Sequence, residues 1–219
     1  MIISPGRRYI FVHIPKTGGT ALSQALETRA MAEDILIGDT PKAVKRRARV
    51  KKLEAAGRLW KHSSLADIEG LVARETFADY FVFTLVRNPW DRIVSYYHWL
   101  QMQGWDHSAV RLAKSAGFSE FLNAAETVKA LSVPYSAYLR DGAGGAPAAH
   151  YLRLEHLDAD LAPLWAHLGF NLSPVARVNS SERGRDHRRY YSDADADLVA
   201  RIAAEDIARF DYRFDPENA

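Results

Sequence analysis

The stretch Phe11–Leu22, FVHIPKTGGTAL, decides the fold: an apolar run, a loop of proline, lysine, glycine and threonine, then the opening of a helix. Tyr9–Ile14 (YIFVHI) reads as a short strand, and Thr20–Arg29 (TALSQALETR) carries the apolar spacing of a helix. Glycines without Cβ atoms let the backbone approach an anion, successive N–H groups point inward, and the helix adds the positive end of its dipole. PKTGGT is therefore a phosphate cradle, with Lys16 as a mobile charge at its entrance and Thr17 and Thr20 as hydroxyl donors. Its order is unusual. A nucleotide-hydrolysing P-loop ends Gly-Lys-Ser/Thr, whereas here Lys16 precedes Gly18, Gly19 and Thr20. The plainer alternative is a tight strand-to-helix turn with an exposed lysine.

Working outward, strands and helices alternate. Ile35–Ile37 is a second short strand, a basic helix follows, and LWKH at Leu59–His62 is read as a strand. Ser64 with Asp67 three residues later has the capping-box signature, which starts a helix directly after His62 and sets that histidine at a strand-to-helix corner. Tyr80–Val86 (YFVFTLV) is apolar almost throughout, as in a central parallel strand covered on both faces. Asn88 as cap, Pro89 at the first helical position and Asp91 in the first turn open a helix running to about Met102. Ala109–Glu126 is weakly helical, Asp141–Ala149 is a small-residue loop, His150–Glu155 a strand, Leu157–Leu168 a helix, Ala176–Val178 a last strand, and Ser192 caps a closing helix over Asp193–Phe210. The expectation is an α/β domain over residues 1–219, a three-layer doubly wound parallel sheet without internal repeats.

Composition narrows the function classes. With 219 residues, 47% of them hydrophobic, the chain holds a real core; with no cysteine, neither disulfides nor thiolate metal sites contribute. Eight histidines include no HExxH pair, so no metal site is expected. No apolar run reaches the roughly 18–20 residues of a membrane span, and the N-terminal stretch lacks the features of a signal peptide. The net charge of +2 conceals a cluster, because Lys42–Lys52 (KAVKRRARVKK) holds seven basic residues and no acidic one. That run is either a solvated face or an attractor for an anionic acceptor or acidic membrane surface.

In doubly wound sheets ligands bind at the carboxyl ends of strands, where a second segment, FTLVRNPWDRIVSYYHW (Phe83–Trp99), places Arg87, with Ser95 two helical turns on. A guanidinium fork suits a doubly charged phosphate and a serine hydroxyl can complete the site. Taken alone, Arg87 is equally an ion-pairing arginine and Ser95 an ordinary helix serine.

PKTGGT after one strand and LVRNPWDRIVSYYHW after a later one together resemble the sulfotransferases that use 3′-phosphoadenylyl sulfate (PAPS), particularly the carbohydrate and heparan sulfate branch, whose fold is like that of the P-loop nucleotide hydrolases. The resemblance implies that Lys16, Thr17, Gly18, Gly19, Thr20 and Ala21 hold the 5′-phosphosulfate and that Arg87 and Ser95 hold the 3′-phosphate. Lysine would meet the oxygen bridging phosphate and sulfur, which accounts for the loop order. KHSSLADI resembles the histidine-bearing segment of the same branch and makes His62 the general base. Arg183, Gly184 and Arg185 lie where these enzymes close a loop over the nucleotide; a solvated basic loop is the alternative. A sulfonyl group in transfer carries less negative charge than a γ-phosphoryl group, so a metal-free site is expected. The implied acceptor is a hydroxyl compound, carbohydrate or small molecule. Golgi members of the family carry an N-terminal membrane anchor and commonly disulfides, and the departure from both makes a cytoplasmic location the expectation.

Two rival classes predict differently. A kinase with a degenerate P-loop requires ATP, Mg²⁺ and a carboxylate at the end of a central strand. A non-catalytic polyanion-binding module would use Lys42–Lys52 but leaves PKTGGT unexplained, and nucleic-acid binding would interleave aromatic residues with that run, which has none.

Overall fold

Pro5 and Gly6 break the N-terminal apolar run, and the chain turns back on itself there. The computed structural model describes residues 1–175, 184 and 186–215. Strand β1 (Ile2–Ser4) passes through this turn into β2 (Tyr9–Val12), followed by α1 (Gly19–Thr28), β3 (Ile35–Leu36), α2 (Pro41–Val50) and β4 (Phe81–Val86). Then come α3 (Pro89–Gln101), α4 (Ser108–Ser115), α5 (Phe118–Asn123), α6 (Ala125–Leu131), β5 (Ala149–Arg153), α7 (Leu157–Asp160), α8 (Ala162–Leu168), α9 (Asp193–Ile202) and α10 (Ala204–Phe210). The chain forms two compact units, Met1–Val86 with Tyr135–Val178, and Arg87–Pro134 with Asn179–Ala219.

The first unit holds a five-stranded sheet in the order β3-β1-β2-β4-β5. β2, β4 and β5 pair in parallel, while β1 runs antiparallel to both β2 and β3. The sheet is thus mostly parallel, with one reversed strand that the sequence pattern did not reveal. Both faces are buried. Ile2, Phe11 and Phe83 pack against Leu22 and Leu26 of α1, Ala43 of α2 and Leu164 of α8. Ile3, Ile10, Val12 and Val82 are covered by Leu65, Ile68, Val72, Phe77 and Leu139. The polar residue inside β4, Thr84, is fully buried and donates its hydroxyl to the Val12 carbonyl at 2.7 Å, so burial leaves the group bonded.

Helix starts follow their caps. Thr40 accepts from the Ala43 N–H ahead of Pro41, Asn88 accepts from Trp90 and Asp91 ahead of Pro89, and Ser192 forms a reciprocal capping box with Asp195. Asp195 also accepts from Ser119 at 3.0 Å and Asn123 at 2.8 Å, tying α9 to α5 within the second unit. The basic run proves partly structural. Lys42 donates to the Glu27 carbonyl, Arg46 to the Met31 and Asp34 carbonyls at 2.8 and 3.0 Å, and Arg49 to the Ala32 carbonyl at 2.8 Å. Three cations thereby satisfy the carbonyls at and beyond the end of α1.

Three expectations are corrected. Leu59–His62 is a turn, not a strand, and the Ser64/Asp67 box caps only a short 3₁₀ turn, Ala66–Ile68, which the left-handed Gly70 (φ 95°) follows closely. The helices expected over Leu157–Leu168 and Asp193–Phe210 are each divided, near Leu161 and Ala203. The strand expected at Ala176–Val178 lies outside the described residues.

Candidate active site

After β2 the chain enters the loop through Pro15. Lys16 and Gly18 both take left-handed backbone angles, φ 65° and 86°, and this pair of reversals curls the loop. Thr17 is fully buried and donates its hydroxyl to the Ile14 carbonyl at 2.9 Å. Its side chain thus braces the loop, correcting the expectation that it offers a hydroxyl to a ligand. Thr20, in the first turn of α1, is half-buried and lines a small polar depression with His13, Ser23, Glu27, Asp39 and Lys61.

The two glycines are required by contact as well as by backbone angle. A Cβ on Gly18 would lie 2.8 Å from Leu154 Cδ1, and one on Gly19 would lie 2.4 Å from His13 Cδ2 and 2.7 Å from its Nε2. Helix α1 begins here with no capping side chain and no acidic residue in its first turn. Among the described helices of eight residues or more, the others are capped by Thr40, Asn88, His107 and Ser192. The positive end of α1 is therefore not neutralised by the protein's own side chains, which is the condition an anion site needs.

His62 lies beside this loop. Its Nδ1 is 2.7 Å from the His13 carbonyl, and its ring meets the His13 ring edge-on with centroids 4.8 Å apart. A carbonyl only accepts, so Nδ1 carries the hydrogen and the neutral ring exposes its lone pair at Nε2. Burial is the main cause that pulls the His62 pKa down to about 4, with Lys61 and the N-terminal ammonium adding to it and the bond to His13 and the charge of Asp39 opposing. His13, 3% exposed, is held well below the usual range, again chiefly by burial. At neutral pH both rings are uncharged, and His62 is in the state a proton acceptor requires. The three groups touch in turn from the loop outward: Gly19, the His13 ring, then His62. The expected strand-to-helix corner is absent, and the His13 carbonyl supplies the positioning instead.

Sequence reasoning missed His13 as this strut, and Leu154 as the cover on Gly18. It also passed over Trp60, whose ring meets His62 edge-on at 5.1 Å. The available signal was Gly57 before and Ser63-Ser64 after that segment, which bracket a turn better than a strand.

In the second unit, Arg87 donates from Nε and Nη2 to Asp91 Oδ2 at 2.8 and 2.5 Å, one turn further on. Ser95 lies on the same helix, α3, and is buried. The carboxylate clamps one side of a five-donor fork and thereby fixes its direction. Gly184 is exposed, with nothing within 4 Å of an added Cβ; Arg183 and Arg185 lie outside the described residues. Among the described residues no group of three histidine or carboxylate side chains could hold a metal ion, and no helix is long and apolar enough to cross a membrane. β4, FVFTLV, contains no carboxylate.

A model of the sulfotransferase family matches residues 1–139, more than half of the chain, a span that includes the loop, His62, Arg87 and Ser95. The crystal structure of mouse sulfotransferase SULT7A1 complexed with PAP matches with a TM-score of 0.47 at 14% identity, over 95% of this chain and 87% of that one. No curated protein matches the chain. By its family match the chain belongs to the sulfotransferase family.

Proposed function

We propose that the protein transfers the sulfonyl group of PAPS to the hydroxyl of a carbohydrate or small-molecule acceptor, with His62 as general base and Lys16 to Ala21 as the grip on the 5′-phosphosulfate. The observation that carries this reading is the lock on His62: its Nδ1–H is held by the His13 carbonyl, and its ring packs on the His13 ring that abuts Gly19 of the loop. That arrangement puts an unprotonated Nε2 one ring away from an uncapped helix N-terminus.

When bound, PAPS supplies the activated sulfonyl group and a bisphosphorylated leaving group. The loop N–H groups and the α1 dipole orient its 5′ end. Lys16 neutralises charge that develops on the departing 3′,5′-ADP, and His62 accepts the acceptor's proton at Nε2. A bound anionic donor raises the His62 pKa from its low value in the free protein, bringing the base closer to the working pH. Arg87, aimed by Asp91, and Ser95 are assigned the 3′-phosphate from the family motif, and Gly184 with its neighbouring arginines the nucleotide cover. The chain passes between its two units three times, which supports treating residues 1–219 as one sulfotransferase domain. The absence of cysteine favours a reducing, cytoplasmic setting.

Calorimetric titration with 3′,5′-ADP, against ATP plus Mg²⁺, tests the reading. Preferential binding of 3′,5′-ADP is expected; preferential binding of ATP·Mg²⁺ would replace it with the kinase alternative.

A further inference from the structure

Trp60 is 44% exposed, an unusual state for an indole, and stands directly beside the proposed base. Its ring and that of His62 are 5.1 Å apart and nearly perpendicular, at 86°. The turn that carries it is fixed from beneath. Ser63, fully buried, accepts from the Trp60 N–H at 2.9 Å, its hydroxyl lies 2.9 Å from both the Arg58 and Trp60 carbonyls, and its own N–H donates to the Trp60 carbonyl at 3.0 Å. The Arg58 guanidinium lies 5.7 Å from the indole centroid and props it further through a cation–π contact. With Arg58 over the ring and His62 against it, nearly half of the indole residue still stays exposed on a pre-ordered turn, where a ligand gains contact area with little ordering cost.

We propose that Trp60 is the stacking platform for the acceptor, and that the acceptor hydroxyl is borne on a six-membered ring, pyranose or phenol, whose face lies on the indole. A ring resting at van der Waals distance, about 3.5–4 Å from the indole, places a ring hydroxyl next to the imidazole without movement of the chain. A flexible acyclic alcohol gains nothing from such a face. This proposal rests on His62 as the base, and it makes Trp60 a specificity-determining residue that takes no part in proton transfer.

The test uses the full-length protein saturated with 3′,5′-ADP and labelled with ¹⁵N, following the indole N–H resonance of Trp60, identified as the signal lost in Trp60→Phe. Methyl β-D-glucopyranoside, phenol and ethylene glycol are titrated as probes. At least one ring probe should shift the Trp60 resonance while ethylene glycol leaves it in place; which ring does so tells sugar from aromatic acceptor. Trp60→Ala should weaken binding of that probe about tenfold with the affinity for 3′,5′-ADP unchanged, and Trp60→Phe should retain most of it. The inference fails if neither ring probe moves the resonance, if ethylene glycol moves it equally, or if Trp60→Ala or, should that variant not fold, Trp60→Leu binds the ring as the native protein does. Failure of the base assignment is separable, because it appears as turnover surviving in His62→Ala while these binding readouts stand.

Discussion

Gly19→Ala sets two effects of opposite sign against each other. Alanine inside a helix is ordinarily better than glycine by roughly 0.5–1 kcal/mol, since it lowers the entropy of the unfolded chain. At Gly19 the new methyl would lie 2.4 Å from His13 Cδ2 and 2.7 Å from Nε2. The ring cannot retreat easily, because His13 is 3% exposed and is packed between Phe11, stacked at 5.7 Å, and His62. Overpacking a closed site of this kind costs about 1–3 kcal/mol, so the clash outweighs the gain, and a net loss of about 1 kcal/mol corresponds to a fall in Tm of roughly 2–4 °C for a chain of this size. Because the displaced residue is the one whose carbonyl holds His62, turnover should fall by more than the stability loss explains at a temperature where the protein remains folded. Gly38→Ala is the control, since an added Cβ there meets nothing within 4 Å. The assay is thermal unfolding paired with titration of 3′,5′-ADP. A Gly19→Ala protein with native Tm and native affinity would refute the strut between loop and base.

Lys16→Gly should separate stability from function: relief of the left-handed backbone at φ 65° raises Tm or leaves it unchanged, while turnover drops because the charge is gone, as scanning calorimetry and initial rates would show. Arg87→Ala should weaken 3′,5′-ADP binding about 10–100-fold through loss of charge-assisted bonds, whereas equal destabilisation by Arg87→Ala and Asp91→Asn with donor affinity intact would reduce the pair to a structural bridge. For pH, an unfolded histidine titrates near 6.5 while His62 in the fold titrates at about 4. Between those values the unfolded chain takes up a proton that the fold refuses, so stability should decline as pH falls from about 6.5 towards 4, and His62→Gln should flatten that decline. Direct NMR titration of the ligand-free protein giving His62 a pKa at or above 6.5 would contradict the burial argument.

What the sequence made legible is local. The strand, loop and helix of Tyr9–Thr28, the Asn88-Pro89 start of α3 and the Ser192 cap of α9 each depend on residues a few positions apart, and each is found in place. What it concealed depends on partners far along the chain. The reversal of β1 is fixed by pairing with both β2 and β3, which a short apolar run does not specify. The basic run looked like a charged face because the carbonyls that receive Lys42, Arg46 and Arg49 lie 12–17 residues earlier. His62 was picked out by its surroundings in sequence, yet what fixes its tautomer is a carbonyl 49 residues away. The indole beside it lies in Leu59–His62, whose strand-like composition masks a turn that the buried Ser63 holds together.

If His62 is the base proposed above, its bond to the His13 carbonyl bears on the catalytic cycle. A base steadied by a peptide group has no carboxylate at Nδ1 to share a captured proton with, unlike the histidine of a hydrolase triad. The imidazolium that forms on sulfonation is consequently a poor resting state in a buried setting. On the proposed mechanism it would give its proton to solvent once the anionic nucleotide departs, and the base would reset without a dedicated relay.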